Sequence, residues 1–167
     1  VGAGGESAQE VRERKRAARE ARRQASESDQ AVEDEALVEE VAEVDTRDTD
    51  GAKRLADRGW KALRAGKASQ AEGLFQQALG KDRGNAEAAD GLAKVYFDRS
   101  QYSRSLQFAK RAVRSSPRNA AFRIRIGDAY YKLFRYDDAM VHYDRAKELG
   151  HAGAAKRLAK ARAKIHE

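Results

Sequence analysis

The sequence predicts an all-α solenoid of three helix–turn–helix units, closed by one further helix. Three observations carry this. Residues 52–167 repeat with a period of 34. Small residues return at fixed columns of that repeat. The chain of 167 residues holds a single Pro among many Ala, which argues against a loop-rich β fold. A unit of this length cannot bury its own apolar face and stacks on its neighbours to do so.

The columns set the elements in order. Ala52, Ala86, Ala120 and Ala154 open four units, and Gly59, Ala93, Gly127 and Ala161 follow seven residues on. Ala71, Ser105 and Ala139 stand nineteen residues from each opening, and Ala78, Ala112 and Ala146 twenty-six. Small side chains at these places let two helix axes approach closely. Leu63, Phe97, Tyr131 and Ile165 share a column, as do Tyr96 and Tyr130, Tyr102 and Tyr136, and Phe75 and Tyr143. Asp50, Asn85 and Asn119 precede helical runs and suit N-caps, whose side-chain oxygen accepts from an orphan N–H. Gly66 is placed to end the first helix. Pro117 falls between units, where no helical N–H is needed. The pattern predicts helices near 52–65, 69–80, 86–99, 103–115, 120–133, 137–149 and 154–166. In the last, Leu158, Ala161 and Ile165 cover the final apolar face, while Lys156, Arg157, Lys160, Arg162 and Lys164 keep the outside wet.

Residues 1–50 read differently. Every aromatic lies after position 50. Residues 1–26 are basic, with Arg12, Arg14, Lys15, Arg16, Arg19, Arg22 and Arg23 clustered, whereas residues 27–50 hold 11 acidic residues against 1 basic, net −10. Such a stretch cannot bury enough apolar surface to offset its ordering entropy and is expected to be disordered. Within it, residues 31–44 carry Leu37, Val38, Val41 and Val44 on an acidic background. This is the pattern of a solvated linker or of a short docking motif. The domain boundaries expected are 1–50 for the tail, then repeats 52–85, 86–119 and 120–153 and a cap at 154–167.

These columns resemble the tetratricopeptide repeat (TPR). The resemblance covers about 116 residues. It is clearest in the third unit, through Gly127, Tyr130, Tyr136, Ala139, Tyr143 and Ala146. The second unit matches through Leu92, Ala93, Tyr96, Tyr102, Ser105, Ala112 and Pro117. The first departs, with Arg58 where the family has Leu and Ala62 where it has an aromatic. The resemblance implies a right-handed α–α superhelix whose first helices line a concave, peptide-binding face. It also implies that the inward residues include Lys53, Trp60, Leu63 and Arg64; Asn85, Lys94 and Phe97; Asn119, Asp128, Tyr131 and Lys132; and Arg162 of the cap. Members that grip the terminal carboxylate of chaperones use paired Lys, Asn and Arg on this face. Here Ala56 with Trp60, and Ile124 with Asp128, hold those places, so that clamp is not matched.

Little supports catalysis. The absence of Cys removes disulfides, thiolate nucleophiles and zinc–thiolate sites. His142, His151 and His166 fall in different elements with no helical partner spacing among them. GAGG at 2–5 lacks the strand and helix of a nucleotide loop, and Gly66-Lys67 lacks the earlier Gly of a P-loop. Acidic residues without fixed geometry supply neither a metal cage nor an acid–base pair. The expectation is a non-enzymatic scaffold without cofactor, binding a peptide or protein that is itself acidic.

Charge offers an alternative. The chain is +7 overall, composed of −7 over 1–50 (8 basic, 15 acidic) and +14 over 51–167 (26 basic, 12 acidic). Lys110, Arg111, Arg114 and Arg118 form a candidate basic patch for nucleic acid or another polyanion, or else a solvated face. The acidic tail is itself a candidate ligand, folding back on the solenoid groove through residues 31–44. No apolar run is long enough to span a membrane. The chain opens on Val1 and is read as a processed product or fragment. No signal peptide stands within its first 30 residues, and one upstream stays open. With 22 Arg to 12 Lys, composition suggests a GC-rich bacterial source, and the expected location is the cytoplasm.

Overall fold

The computed structural model describes residues 48–165, and seven α-helices fill them. In chain order they are α1 (Thr49–Arg64), α2 (Ala68–Lys81), α3 (Ala86–Asp98), α4 (Tyr102–Ser115), α5 (Ala120–Lys132), α6 (Tyr136–Glu148) and α7 (Ala154–Ile165). Three hairpins, α1 on α2, α3 on α4 and α5 on α6, stack in order, and α7 packs on α6. The odd-numbered helices form one layer, α1 on α3 and α3 on α5. The even ones reach the next unit through its odd helix, α2 on α3 and α4 on α5.

Caps begin the odd helices. Asn85 Oδ1 accepts from the Ala88 N–H at 2.8 Å and Asn119 Oδ1 from the Ala121 N–H at 3.0 Å. The first helix starts earlier than its apolar pattern indicated, at Thr49. Its cap is Asp48 and not Asp50: Asp48 Oδ1 accepts from the Gly51 N–H at 2.7 Å. Asp50 lies in the first turn, where its charge favours the helix N-terminus. Lys81 Nζ, 2.7 Å from Asp48 Oδ2, ties the start of α1 to the end of α2. That bond, then the one from Gly51, holds the Asp48 carboxyl below its ordinary pKa.

The turns inside the hairpins share one geometry. Gly66 (φ +75°), Ser100 (φ +60°) and Phe134 (φ +60°) stand 34 residues apart, all left-handed. After each, an N–H returns to a carbonyl of the last helical turn: Lys67 to Ala62 at 3.0 Å, Gln101 to Tyr96 at 2.9 Å and Arg135 to Tyr130 at 3.0 Å. This closes the helix in a Schellman turn. Gly adopts that φ freely, whereas a side chain there costs about 1–2 kcal/mol. Phe134 is therefore held against its preference, and it is also the large apolar residue that stays exposed, at 78%.

The small columns pack by compensating volume. A Cβ on Gly59 would lie 2.6 Å from Phe75 Cε1, and one on Gly127 2.5 Å from Tyr143 Cε1. Gly91 of the next unit meets Phe75 from the other side, where a Cβ would sit 2.3 Å from Cζ. In the second unit Ala109 replaces the aromatic, and the facing position is Ala93; both are fully buried. The two small-residue choices are thus coupled. Full burial of the Phe75 ring contributes about 2–3 kcal/mol, which these gaps make possible. Ser105, in a column otherwise Ala, is buried but satisfied: its Oγ donates to the Ala93 carbonyl at 2.8 Å.

Residues 1–47 and 166–167, with the tail segments 1–26 and 31–44 and with His166, lie outside the described residues.

Candidate functional site

The odd-helix layer brings one column of side chains into a row. Leu63, Phe97 and Tyr131 occupy the same position on α1, α3 and α5, and each is half-buried. The two rings are steadied by the start of the following helix. Phe97 meets Tyr102 edge-on at 5.3 Å, and Tyr131 meets Tyr136 at 5.1 Å. Lys160 of α7 stands over the Tyr131 ring at 5.2 Å. Trp60, one turn earlier on α1, packs edge-on to Phe75 at 5.5 Å. Its Nε1 is buried without a hydrogen-bond partner among the described residues.

Charged groups on this layer divide into free and engaged. Lys53, Arg64, Lys132 and Arg162 are exposed. Lys94 Nζ is held by Asp98, at 2.5 and 2.6 Å from its two oxygens. Asp128 joins three helices: it accepts from Tyr143 Oη at 2.8 Å and from Arg157 Nε at 3.0 Å. Its role in the structure is to tie α5 to α6 and α7. Burial, then Asp128, pushes the Tyr143 hydroxyl well above its ordinary pKa. Asn85 and Asn119 have their side-chain oxygens in helix caps. Ala56 and Ile124, which stand with Trp60 and Asp128 at the places the family resemblance assigns to a carboxylate clamp, are buried in the core.

A pairing that the sequence pattern does not reveal shapes the layer. Arg125 of α5 forks onto Asp90 of α3, with Nη2 at 2.9 Å from Oδ2 and Nε bonded to Oδ1. Asp90 is 4% exposed, so this pair fixes one unit on the next. Glu87 lies nearby, its carboxyl raised above the usual range by partial burial, then by Asp90 and Asp57. Arg157, expected on the wet side of the cap, instead turns inward to Asp128, and Lys160 turns toward Tyr131. A long cationic side chain can lay its stem along apolar surface, which a count of charges does not reveal.

The basic patch sits elsewhere, around the loops between units. Arg111 donates to the Arg83 carbonyl from Nε at 3.3 Å and from Nη2 at 2.8 Å. Burial first, then Arg114 and Arg83, lowers the Arg111 pKa. Arg114 and Arg118 are exposed and Lys110 is half-buried. His142 is buried against Tyr130, ring centroids 5.6 Å apart, and its pKa is depressed to about 3 by burial, then by Arg123 and Lys110. Among the described residues, no group of three His, Asp or Glu is placed to hold a metal ion. No described helix is long and apolar enough to cross a membrane.

This stacking of helix hairpins on a 34-residue period has a counterpart among solved structures. The first TPR of Spaghetti (RPAP3), bound to the HSP90 peptide SRMEEVD, superposes with a TM-score of 0.69 at 22% identity, covering 72% of this chain and 98% of that one. The chain has the fold of a tetratricopeptide-repeat solenoid. The Sgt2 TPR domain of Aspergillus fumigatus superposes with a TM-score of 0.68 at 23% identity, over 74% of this chain and 86% of that one. Residues 65–146 match the family described as anaphase-promoting complex, cyclosome, subunit 3. The Protein CTR9 homolog of Arabidopsis thaliana is 37% identical over 93 residues, 55% of this chain. The chain spans only 8% of that relative's length.

Proposed function

We propose that this TPR solenoid is a non-catalytic interaction module that seats an extended peptide, or a segment of a protein partner, along its odd-helix layer. One observation carries the reading: Leu63, Phe97 and Tyr131 form a half-buried row on a fold whose structural neighbour holds a peptide. Rigid rings with one face open bury apolar ligand surface at low entropic cost. Lys132, Arg162 and Lys160 place positive charge at the cap end, which suits acidic residues of the ligand there. On α1 and α3, Asp57 and Glu87 suit basic ones, beside the exposed Lys53 and Arg64. Trp60, Lys53 and Arg64 border the same path on α1. A role as a scaffold within a larger assembly belongs to this proposal, as do a cytoplasmic setting and a bacterial source. The acidic segment 31–44 is proposed as an intramolecular ligand of the solenoid.

Nucleic acid is the weaker second reading. The rings in the basic stretch are not open for stacking: Phe108 lies on Tyr96 and Phe122 is buried.

The test is a peptide library screened against the full chain by fluorescence anisotropy, followed by Phe97→Ala and Tyr131→Ala. Each truncation is expected to weaken the best ligand about tenfold or more, as at interface anchors. Unchanged affinity in both variants, with the fold intact by circular dichroism, would move the site off this layer.

A further inference from the structure

The edge of the solenoid that carries the loops between units is the one at which the acidic tail enters. Asp48 begins α1 there and touches Lys81 at the end of α2. Two residues on, the Arg83 carbonyl receives Arg111 from the end of α4. Arg114 follows on that helix, and Arg118 lies in the next loop, whose Pro117 carbonyl accepts from Arg123 Nη2 at 3.4 Å. A chain of direct contacts thus leads from the tail's entry point to the cationic cluster.

That cluster carries an excess of positive charge, against which Asp82 is the carboxylate acting on Arg111. Residues 99–127 contain eight basic residues and no acidic one. Among the eight, Arg99 pairs with Glu72 and Arg125 with Asp90. The ion pairs among the described residues include none from Lys110, Arg111, Arg114 or Arg118. Arg111 is also crowded by Arg83 and Arg114. An anion on this edge would relieve like-charge repulsion without displacing any existing pair. The odd-helix layer is different, because Asp57, Glu87, Asp90, Asp98 and Asp128 already stand on it. A strongly acidic segment meets more carboxylates there than at the edge, where Asp48 and Asp82 stand among a larger number of cations.

We propose that the acidic segment 27–47 docks in cis on the cationic edge formed by Arg83, Lys110, Arg111, Arg114 and Arg118, and leaves the peptide groove open. The segment holds nine acidic residues and one basic. At up to about 3.3–3.6 Å per residue, ten residues before Asp48 already span roughly 35 Å, enough to cross both loops. Tethering supplies an effective concentration in the millimolar range, so a contact of millimolar strength is about half occupied. The docked segment masks the surface most attractive to nucleic acid or to a partner's acidic segment. This inference rests on reading the tail as an intramolecular ligand, and it names where that ligand sits.

The chain has no Cys, so Ala36→Cys in the full protein gives a single position for a nitroxide label. The amides of Arg83, Lys110, Arg111, Arg114 and Arg118 are expected to lose about half their NMR intensity at low salt. They should recover it in roughly 1 M salt, where the screening length falls to about 3 Å. The exposed pair Arg114→Glu and Arg118→Glu should abolish most of the loss while leaving the melting temperature near that of the parent. Intensity loss at Trp60, Phe97 and Tyr131 instead would overturn the edge as the docking place while keeping the tail as a ligand. No loss at any amide would overturn both. Equal loss in a mixture of labelled and isotope-enriched chains would show docking in trans and overturn the contact in cis.

Discussion

Lowering the pH from 7 to 5 should destabilise this solenoid through one imidazole. His142 on α6 is 3% exposed, and its Nδ1 is buried with no hydrogen-bond partner among the described residues. Burial, then Arg123 and Lys110, moves its pKa from 6.5 to about 3. Because the folded pKa is the lower one, the unfolded chain takes up the proton first. The stability tied to neutral His142 is therefore complete above pH 6.5 and is lost as the pH falls from there toward 3. At about 1.4 kcal/mol per unit, the loss at pH 5 is about 2 kcal/mol. Asp48 and Glu72, whose pKa values are lowered, lose their contribution only below their unfolded values of 3.8 and 4.5. Glu87, raised, acts in the opposite sense. All three are shared by wild type and His142→Phe, so the difference between the two chains isolates the imidazole. Phe keeps a ring against Tyr130 and removes the buried, unbonded nitrogen. Urea unfolding at pH 7 and 5 should show the drop of about 2 kcal/mol in wild type and a nearly flat response in the variant. Equal drops in both would refute the assignment.

Other substitutions test the packing. Gly127→Ala puts a Cβ 2.5 Å from a Tyr143 ring carbon, and overpacking of this kind should cost about 1–3 kcal/mol in urea unfolding. Phe134→Gly relieves a left-handed backbone and should stabilise by about 1 kcal/mol, read as a higher melting temperature. A loss of stability would mean that the ring's edge contact with Tyr136 at 6.3 Å outweighs the strain. Arg125→Met strands the buried Asp90 carboxylate and should cost about 3–5 kcal/mol by urea unfolding, whereas Arg125→Met with Asp90→Leu should recover most of it.

The helices were legible because their signals are local and repeated. A period of 34, small columns and Asn caps each restate the same unit, so seven helices follow within a few residues of where the pattern puts them. The first start was misplaced because Asp48 and Asp50 are equally good caps by type. What separates them is Lys81, which reaches Asp48 from 33 residues away. Long-range choices of this kind leave no periodic trace. The same limit hid the Asp90–Arg125 fork, since Arg125 shares its column with residues of unrelated type. It also hid the inward turn of Arg157. The row of Leu63, Phe97 and Tyr131 was visible because all three sit in one column. Whether a ring there is core or surface depends on the neighbouring helix, and the structure answers with half-burial. Phe134 occupies the column of Gly66, where the turn demands positive φ, and that shared column is the trace of the turn in the sequence.

Charge on this solenoid is sorted by surface, and the sorting has a physical consequence. On the odd-helix layer cations stand beside carboxylates: Lys94 with Asp98, Arg125 with Asp90, Arg157 with Asp128. A ligand there gains little from net charge and must be read through apolar contact with Phe97 and Tyr131 and through the position of individual charges. The loop edge carries an excess of cations, so a ligand there is gathered by charge and needs little shape. Apolar burial is insensitive to moderate salt, whereas attraction between exposed charges fades beyond a screening length of about 8 Å at physiological ionic strength. One short chain thus presents two surfaces that salt can separate, and the net charge of +7 is the residue of that division rather than a property of either surface.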